Sequence, residues 1–144
     1  MIIVSITGPS MQEVLAQVAG SSAYADMFEF RLDLMSKPNI ARLLASTRKP
    51  TIATCRPVRE GGSFSGSERE RIGTLELASV YGAHYVDIEL STVPGVVEDF
   101  VRRRKETKVI VSYHLLDGAL FDVRRVFVER RTVRLWLGVG YALT

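Results

Sequence analysis

The fold of this chain is indicated most plainly by residues 51–62, which read TIATCRPVREGG. Alternation along an extended strand places Thr54 and Arg56 on the same face. Pro57 ends the strand because it has no N–H group to donate to a neighbouring strand. Glu60 follows Arg56 by four residues on a glycine-bearing turn, so a cation and a carboxylate face one cleft. Taken alone, the stretch favours a surface arginine and glutamate beside an ordinary turn, and its interpretation as the floor of an active site depends on the rest of the chain.

Composition indicates one soluble domain of an ordinary type. The 144 residues are 47% hydrophobic and 24% charged, which supports a hydrophobic core and argues against disorder. The net charge of +3 comes from 19 basic and 16 acidic residues spread along the sequence, so we expect no nucleic-acid partner. The single cysteine, Cys55, cannot form an internal disulfide. Because residues 1–6 do not resemble a signal peptide and no apolar run approaches about 18 residues, we expect a cytoplasmic protein without a membrane partner.

Residues 26–33 and 84–90 each alternate between apolar and polar or ionisable side chains. In a barrel of parallel strands, one set packs against the surrounding helices and the other fills the interior. Burying a charge without a partner is costly, so inward-facing acids and bases must pair with one another or bind something. The side chains predicted to face the interior in these two strands are Glu29, Arg31 and Asp33, followed by Tyr85, Asp87 and Glu89.

Apolar strands and amphipathic helices alternate along the chain as far as residue 114. Ser10 and Ser67 each precede a glutamate by three residues, a capping-box pattern that predicts a helix start, and Pro38 and Pro94 are expected in first helical turns. The predicted strand starts are about 24 to 33 residues apart, close to the roughly 30 residues per unit of a TIM barrel. The sequence therefore predicts an α/β fold, an incomplete TIM (β/α)8 barrel with about five parallel strand–helix units and an irregular carboxyl-terminal tail. The predicted strands are 2–6, 26–33, 51–56, 84–90 and 109–114, and the helices are 11–20, 38–46, 68–81 and the segment that begins at 94.

Polar side chains at the carboxyl ends of the predicted strands form the candidate site, because barrel enzymes carry out their chemistry at this end. His114 lies at this rim, with Glu60 available to orient its ring and tune its proton affinity. His84 lies at the start of its strand, on the opposite rim, and is interpreted as a structural residue. The inward-facing groups expected to converge are Ser5, Glu29, Arg31, Arg56 and His114.

Four motifs occur in a fixed order: EFRLD at 29–33, Arg56 followed by EGG at 60–62, DIEL at 87–90 and VIVSYH at 109–114. Together they resemble the type I 3-dehydroquinate dehydratases of the shikimate pathway. The resemblance implies a carbon–oxygen lyase that converts the small-molecule substrate 3-dehydroquinate to 3-dehydroshikimate without a metal or other cofactor. It also implies that His114 is the general acid and base, with Glu60 as its partner. The residues that the resemblance assigns to the polar groups of the substrate are Ser5, Glu29, Arg31 and Arg56.

The resemblance further implies a lysine on the sixth strand, which forms a Schiff base with the substrate ketone. This sequence contains Lys37, Lys49, Lys105 and Lys108, and none of them fits that position. Lys49 and Lys108 are expected on the wrong rim, Lys37 in a loop or first helical turn, and Lys105 at a solvated helix end. We therefore expect this chain by itself to be nearly inactive. The alternative is a catalytically inactive fragment or interaction module derived from the enzyme.

The resemblance ends near residue 115. We divide the chain into a partial barrel of the dehydratase type over residues 1–115 and a tail of undetermined fold over residues 116–144. A shifted or interrupted reading frame would explain such a truncated pattern, and a purposeful short form is the alternative. Five units leave the edges of the first and fifth strands unpaired, and exposed edges favour self-association. We therefore expect poor stability as a monomer, and a homodimer is compatible with this expectation.

Overall fold

In the part of the chain that the structure describes, five parallel strands form one sheet in the order β1-β2-β3-β4-β5, and the predicted α/β fold is confirmed. The computed structural model describes residues 1–104 and 106–114, so the predictions for Lys105 and for residues 116–144 lie outside the described residues. The strands are β1 Ile3–Ile6, β2 Met27–Arg31, β3 Thr51–Thr54, β4 Tyr85–Glu89 and β5 Lys108–Ser112. The α-helices are α1 Met11–Ser21, α2 Ile40–Leu44, α3 Glu68–Val80 and α4 Pro94–Arg103, and two short 3-10 helices span Leu32–Leu34 and Val58–Glu60.

The register between neighbouring strands determines which inward-facing side chains lie next to one another. Ser5 is opposite Glu29, Arg31 is opposite Thr54, and Thr54 is opposite Asp87. Side chains at paired positions of parallel strands point to the same face of the sheet. The polar residues of successive strands therefore form rows across one face, as the alternation in the sequence predicts.

The opposite face of the sheet packs against the helices and forms the hydrophobic core. Phe28 and Phe30 of β2 are 0% and 1% exposed, and their rings stack with centroids 6.4 Å apart. Fully burying a side chain of this size contributes about 1.5 to 3 kcal/mol. The helices and the other strands contribute Val14 and Val18, Leu43, Ile72 and Leu75, Val97 and Phe100, and Val86 and Ile88.

Local capping signals set most of the helix starts. The Ser10 side chain accepts a hydrogen bond from the Glu13 N–H at the start of α1, and Ser67 forms a complete capping box at the start of α3. Pro94 is the first residue of α4, as predicted. The prediction for Pro38 is wrong, because α2 begins at Ile40 and Asn39 caps it by accepting from the Arg42 N–H. The asparagine side chain accepts from a helix N–H, whereas a proline side chain has no acceptor with which to cap a helix.

Three strands end two residues before the carboxyl end that their sequence patterns suggest, and β4 ends one residue early at Glu89. The predicted strand 26–33 stops at Arg31, because the chain turns into the 3-10 helix Leu32–Leu34. Strand β3 stops two residues before Arg56, and β5 stops two residues before His114. Both side chains therefore extend from the loops that follow their strands. Within the part of the chain that the structure describes, no helix has the length and apolar character needed to cross a membrane.

Candidate active site

Glu60 and His114 come together at the carboxyl ends of the strands, although 54 residues separate them in the chain. The His114 Nδ1 atom lies 3.1 Å from Glu60 Oε2, and the two side chains are 14% and 6% exposed. Ser91, in the loop after β4, donates a hydrogen bond to the other oxygen of Glu60. Burial raises the pKa of Glu60, but the hydrogen bonds from His114 and Ser91 outweigh it and hold the pKa below its ordinary value. An ionised Glu60 accepts from Nδ1–H, which leaves the Nε2 atom of His114 to exchange a proton.

The turn that carries Glu60 depends on two glycines. Gly61 has a φ of +77°, a left-handed conformation that costs glycine little because it has no Cβ. A Cβ on Gly62 would lie 2.0 Å from the carbonyl oxygen of Arg56, and the Gly62 N–H donates to the carbonyl of Pro57 at 3.1 Å. The turn therefore closes against the end of β3 and fixes the distance between Arg56 and Glu60.

Arg56 faces two buried carboxylates of β4. Its Nη2 atom lies 3.2 Å from Asp87 Oδ2, and its Nε atom lies 4.0 Å from Glu89 Oε1. Burial raises the pKa of Asp87 and raises the pKa of Glu89 to about 7. The Arg56 side chain is 17% exposed. It therefore contacts a buried carboxylate and also reaches solvent at the carboxyl-terminal rim of the sheet.

Arg31 forms an ion pair with Asp33, two residues further along the chain. The guanidinium forms two hydrogen bonds to the carboxylate, at 2.9 and 2.7 Å. Burial raises the pKa of Asp33, but Arg31 and the backbone N–H of Ser63 counteract it, and the pKa is lowered overall. The hydrogen bond to Asp33 also raises the pKa of Arg31. The hydrogen bond from the Ser63 N–H to Asp33 ties the segment that follows β2 to the loop that follows β3.

Glu29 and Ser5 occupy the amino-terminal side of the same face. Glu29 Oε1 accepts a hydrogen bond from the Thr54 hydroxyl at 2.7 Å. Ser5 lies beside Glu29 in the strand register and is exposed. All six predicted site residues thus lie on the inner face of the sheet or at its carboxyl-terminal rim. Among them, Glu60 and His114 are in direct contact. Their catalytic and binding roles stay predictions.

A family model described as type I 3-dehydroquinase matches residues 2–127. The chain belongs to the type I 3-dehydroquinase family. The matched range continues past residue 115, near which the motifs recognised in the sequence end. Within the family, this chain is 46% identical over 99 residues to a 3-dehydroquinate dehydratase of Dehalococcoides mccartyi, covering 69% of this chain and 44% of the relative. It is 38% identical over 128 residues to the enzyme of that name from Methanothrix thermoacetophila, covering 88% of this chain and 54% of the relative.

Solved structures show the same fold. The 3-dehydroquinate dehydratase of Enterococcus faecalis superimposes with a TM-score of 0.71 at 25% identity, over 83% of this chain and 55% of that one. A type I 3-dehydroquinate dehydratase of Clostridium difficile, solved with covalently modified comenic acid, gives a TM-score of 0.69 at 26% identity, over 77% of this chain and 49% of that one. These neighbours identify the five described strands and their helices as part of a TIM barrel. This family member spans about half the length of the curated relatives it matches.

Two residues of this dehydroquinase-family chain that contact the predicted site, the buried Arg71 and the exposed Ser91, were not singled out from the sequence. Arg71 of α3 is 0% exposed and forms an ion pair with Glu89. Ser91 contacts the carboxylate of Glu60. Arg71 stands four residues before the buried Leu75, so a cation in the apolar stripe of a helix was the available signal. Ser91 gave no such signal, because its contact with residue 60 arises only from the tertiary fold.

The described lysines lie away from this site. The Lys49 Nζ atom donates to the backbone carbonyls of Ser22 and Ala25, next to the start of β2. Lys108 is the first residue of β5, and its Nζ atom lies 5.5 Å from the Tyr85 ring centroid. Lys37 is exposed in the segment that precedes α2. Lys49 and Lys108 therefore lie at the rim opposite His114, and Lys37 lines a surface cavity with Leu77 and Tyr81 at the end of α3.

His84 also lies at the opposite rim. Its Nδ1 atom is 3.3 Å from the backbone N of Thr51, the first residue of β3. A hydrogen bond there satisfies a backbone N–H at the start of a strand. This position agrees with the structural role expected from the sequence.

Proposed function

We propose that this chain carries part of the active site of a 3-dehydroquinate dehydratase, a lyase that converts 3-dehydroquinate to 3-dehydroshikimate by eliminating water. The observation that supports the proposal best is the Glu60–His114 pair at the carboxyl ends of the strands, beside Arg56. A carboxylate that orients an imidazole is a common arrangement for moving protons near neutral pH. The family membership and the names of the relatives support the same reaction.

The proposed chemistry uses His114 for both proton transfers. With Nδ1–H donated to Glu60, the Nε2 lone pair takes a proton from the carbon beside the substrate ketone. The electron pair of that C–H bond forms the new double bond, and the bond from the next carbon to its hydroxyl oxygen breaks. The protonated imidazole then gives its proton to the departing oxygen, so that water leaves and the ring returns to its neutral form.

The substrate is proposed to bind through fixed donors and acceptors on the inner face. Arg56 is partly exposed and presents N–H groups for a carbonyl, hydroxyl or carboxylate oxygen. Glu29 has one oxygen occupied by Thr54, and its remaining lone pairs suit hydroxyl donors. Ser5 and Arg31 would complete this set, with Arg31 held in place by Asp33. A polyhydroxylated, carboxylated ring needs several such contacts to be oriented in a pocket.

Turnover by the 144-residue polypeptide is proposed to be very slow. The family resemblance implies a lysine Schiff base, and Lys37, Lys49 and Lys108 are not placed to form it. Removing a covalent catalyst costs several orders of magnitude in rate. The alternative function is that of a catalytically inactive fragment or interaction module, for which this placement of the lysines is the supporting observation.

The test is to incubate the purified chain with 3-dehydroquinate and follow the ultraviolet absorbance of the conjugated product. In parallel, the imidazole NMR signals of the two histidines are recorded during titration with substrate. We expect substrate to shift the His114 signals and leave those of His84 unchanged, with slow or undetectable product formation. His114→Ala abolishes any residual turnover, whereas the matched variant His84→Ala retains it.

Two results would contradict the proposal in different ways. Rapid turnover would show that the chain does not need the missing lysine, and borohydride reduction followed by mass spectrometry would then identify any amine that replaces it. A complete lack of binding by the folded chain would overturn the proposed substrate and favour the non-catalytic alternative.

We also propose a cytoplasmic location and a homodimer. The single cysteine is buried at 1% exposure, which agrees with a reducing compartment. The edge strand β1 carries Ile3 at 45% exposure, and Ile2 beside it is 52% exposed. Pairing of such apolar edge residues between two copies would cover them. Light scattering after size-exclusion chromatography measures the molar mass, and a strictly monomeric chain would contradict the dimer.

A further inference from the structure

A buried guanidinium links three elements underneath the candidate site. Arg71 is 0% exposed, and all five of its N–H donors are used. Nε and Nη2 bond the two oxygens of Glu68 at 3.0 and 2.6 Å, Nη2 also bonds Thr92 Oγ1 at 2.8 Å, and Nη1 bonds the Cys55 carbonyl at 3.3 Å and Glu89 Oε2. This one side chain therefore connects α3 with the segments that follow β3 and β4.

Two of these bonds bear directly on Arg56. Cys55 is the residue immediately before Arg56, so the bond to its carbonyl fixes the backbone from which Arg56 projects. Glu89 uses one oxygen for Arg71 and turns the other toward Arg56, with Oε1 4.0 Å from Nε. Both Glu89 Oε1 and Arg56 Nε are buried and have no hydrogen-bond partner among the described residues. Arg71 and Arg56 thus lie on the two sides of one carboxylate.

Such a network is difficult to explain by stability alone. Desolvating an ion pair costs free energy that its mutual attraction only partly offsets, and apolar residues of similar volume are often as stabilising. A helix residue that faces a hydrophobic core is ordinarily apolar, as Leu75 one turn further along α3 is. A buried arginine with every donor used instead gives a unique geometry to the groups that it contacts.

We propose that Arg71 is a positioning residue for Arg56. It holds the carboxylate of Glu89 beside Arg56 and fixes the Cys55 carbonyl, so that the Arg56 guanidinium is aimed at the mouth of the site before any ligand arrives. The contribution of this geometry to substrate binding rests on the proposed function. The geometry itself does not, because it concerns only contacts within the chain.

The charge state of Glu89 is the part of this arrangement that responds to Arg71. Burial raises the pKa of Glu89 to about 7, and Arg71 counteracts that rise. The other charged groups that face Glu89 are Arg56 after β3, Asp87 on its own strand and Glu60 in the 3-10 helix, and both acids raise the pKa further. Without Arg71, the pKa of Glu89 would rise further, and Arg56 would face an uncharged carboxyl over more of the neutral pH range.

The experiment compares Arg71→Met and Arg71→Lys with Arg69→Met, a matched control at an exposed position of the same helix. The titration of the Glu89 side-chain carboxyl is followed by carbon NMR, the Arg56 Nε–H signal reports on the guanidinium, and the dissociation constant for 3-dehydroquinate is measured by calorimetry. We expect Arg71→Met to move the Glu89 titration to higher pH, to shift the Arg56 signal and to weaken binding about tenfold or more. Arg71→Lys keeps the charge with fewer donors and should give intermediate values, and Arg69→Met should match the original chain.

Glu89→Gln keeps the shape of the side chain and provides a second test that does not depend on the folding of Arg71→Met. We expect this variant to weaken binding at pH 8 and to flatten the change in binding between pH 6 and 8. Unchanged Glu89 titration in a folded Arg71 variant, or unchanged binding in Glu89→Gln, overturns the positioning role. If the original chain binds no 3-dehydroquinate, the proposed function fails, while the Glu89 titration and the Arg56 signal still decide the role of Arg71.

Discussion

Replacing Gly62 by alanine tests the closure of the turn that carries Glu60. A Cβ at this position would lie 2.0 Å from the carbonyl oxygen of Arg56, 2.4 Å from its carbonyl carbon and 2.6 Å from its Cβ. Two of these three atoms belong to the backbone, so no side-chain rotation relieves the contact. Either the turn moves away from the end of β3 or the backbone at Arg56 shifts. Both movements separate Arg56 from Glu60.

The magnitude follows from the size of that displacement. Ordinary contacts between carbon and oxygen atoms are longer by more than 1 Å, and inserting a methyl group into packed structure costs about 1 to 3 kcal/mol. Because the obstacle is backbone, we expect a loss near the upper end, at least about 2 kcal/mol. With a urea dependence of about 2 kcal/mol per M, the midpoint of unfolding falls by roughly 1 M.

The matched control is Gly73→Ala in the middle of α3. A Cβ on Gly73 would meet no atom within 4 Å, and alanine in a helix is more stable than glycine by about 0.5 to 1 kcal/mol. The two identical chemical changes therefore have opposite expected signs, measured by urea unfolding followed by circular dichroism. A Gly62→Ala variant as stable as the original chain would refute the closure of the turn against Arg56.

Three further perturbations have definite expected outcomes. Leu75 is 0% exposed, and Leu75→Ala should lower the unfolding free energy by about 2 to 5 kcal/mol. Leu77 on the same helix is 44% exposed, and Leu77→Ala should change the unfolding free energy by less than about 0.5 kcal/mol. Equal losses in urea unfolding would contradict the assigned faces of α3. Asp33→Asn removes the partner of Arg31 and should cost about 3 kcal/mol at pH 7. The pKa of Asp33 is lower in the folded state than in the unfolded chain. The stability that the ion pair contributes is therefore present above about pH 4 and is lost as the pH falls further. A stability difference between the variant and the original chain that persists in acid would argue against the ion pair. Burial raises the pKa of the Cys55 thiol to about 12. A disulfide reagent at pH 8 should therefore modify Cys55 only in denaturant. Rapid labelling of the native chain would show that solvent reaches the end of β3.

The candidate site followed from the sequence only in part. Alternation at residues 28–32 and 84–90 correctly predicted which side chains face the helices and which face the interior, because neighbouring strand residues necessarily point to opposite faces. The same rule placed His114 and Arg56 at one rim. It could not predict that Arg31 pairs with Asp33, since that contact requires the chain to leave the strand and turn immediately after residue 31.

The sequence by itself determined the repeated strand–helix units, the capped starts of α1 and α3 and the polar face of the sheet, because these depend on periods of two or 3.6 residues and on contacts three residues apart. The tertiary structure decided the partners. The bonds from Ser91 to Glu60, from Glu60 to His114 and from Arg71 to Glu89 join different elements. Their geometry depends on the register between strands and on how closely α3 and the turn at Gly62 approach the end of β3, and no local pattern of residues specifies these distances.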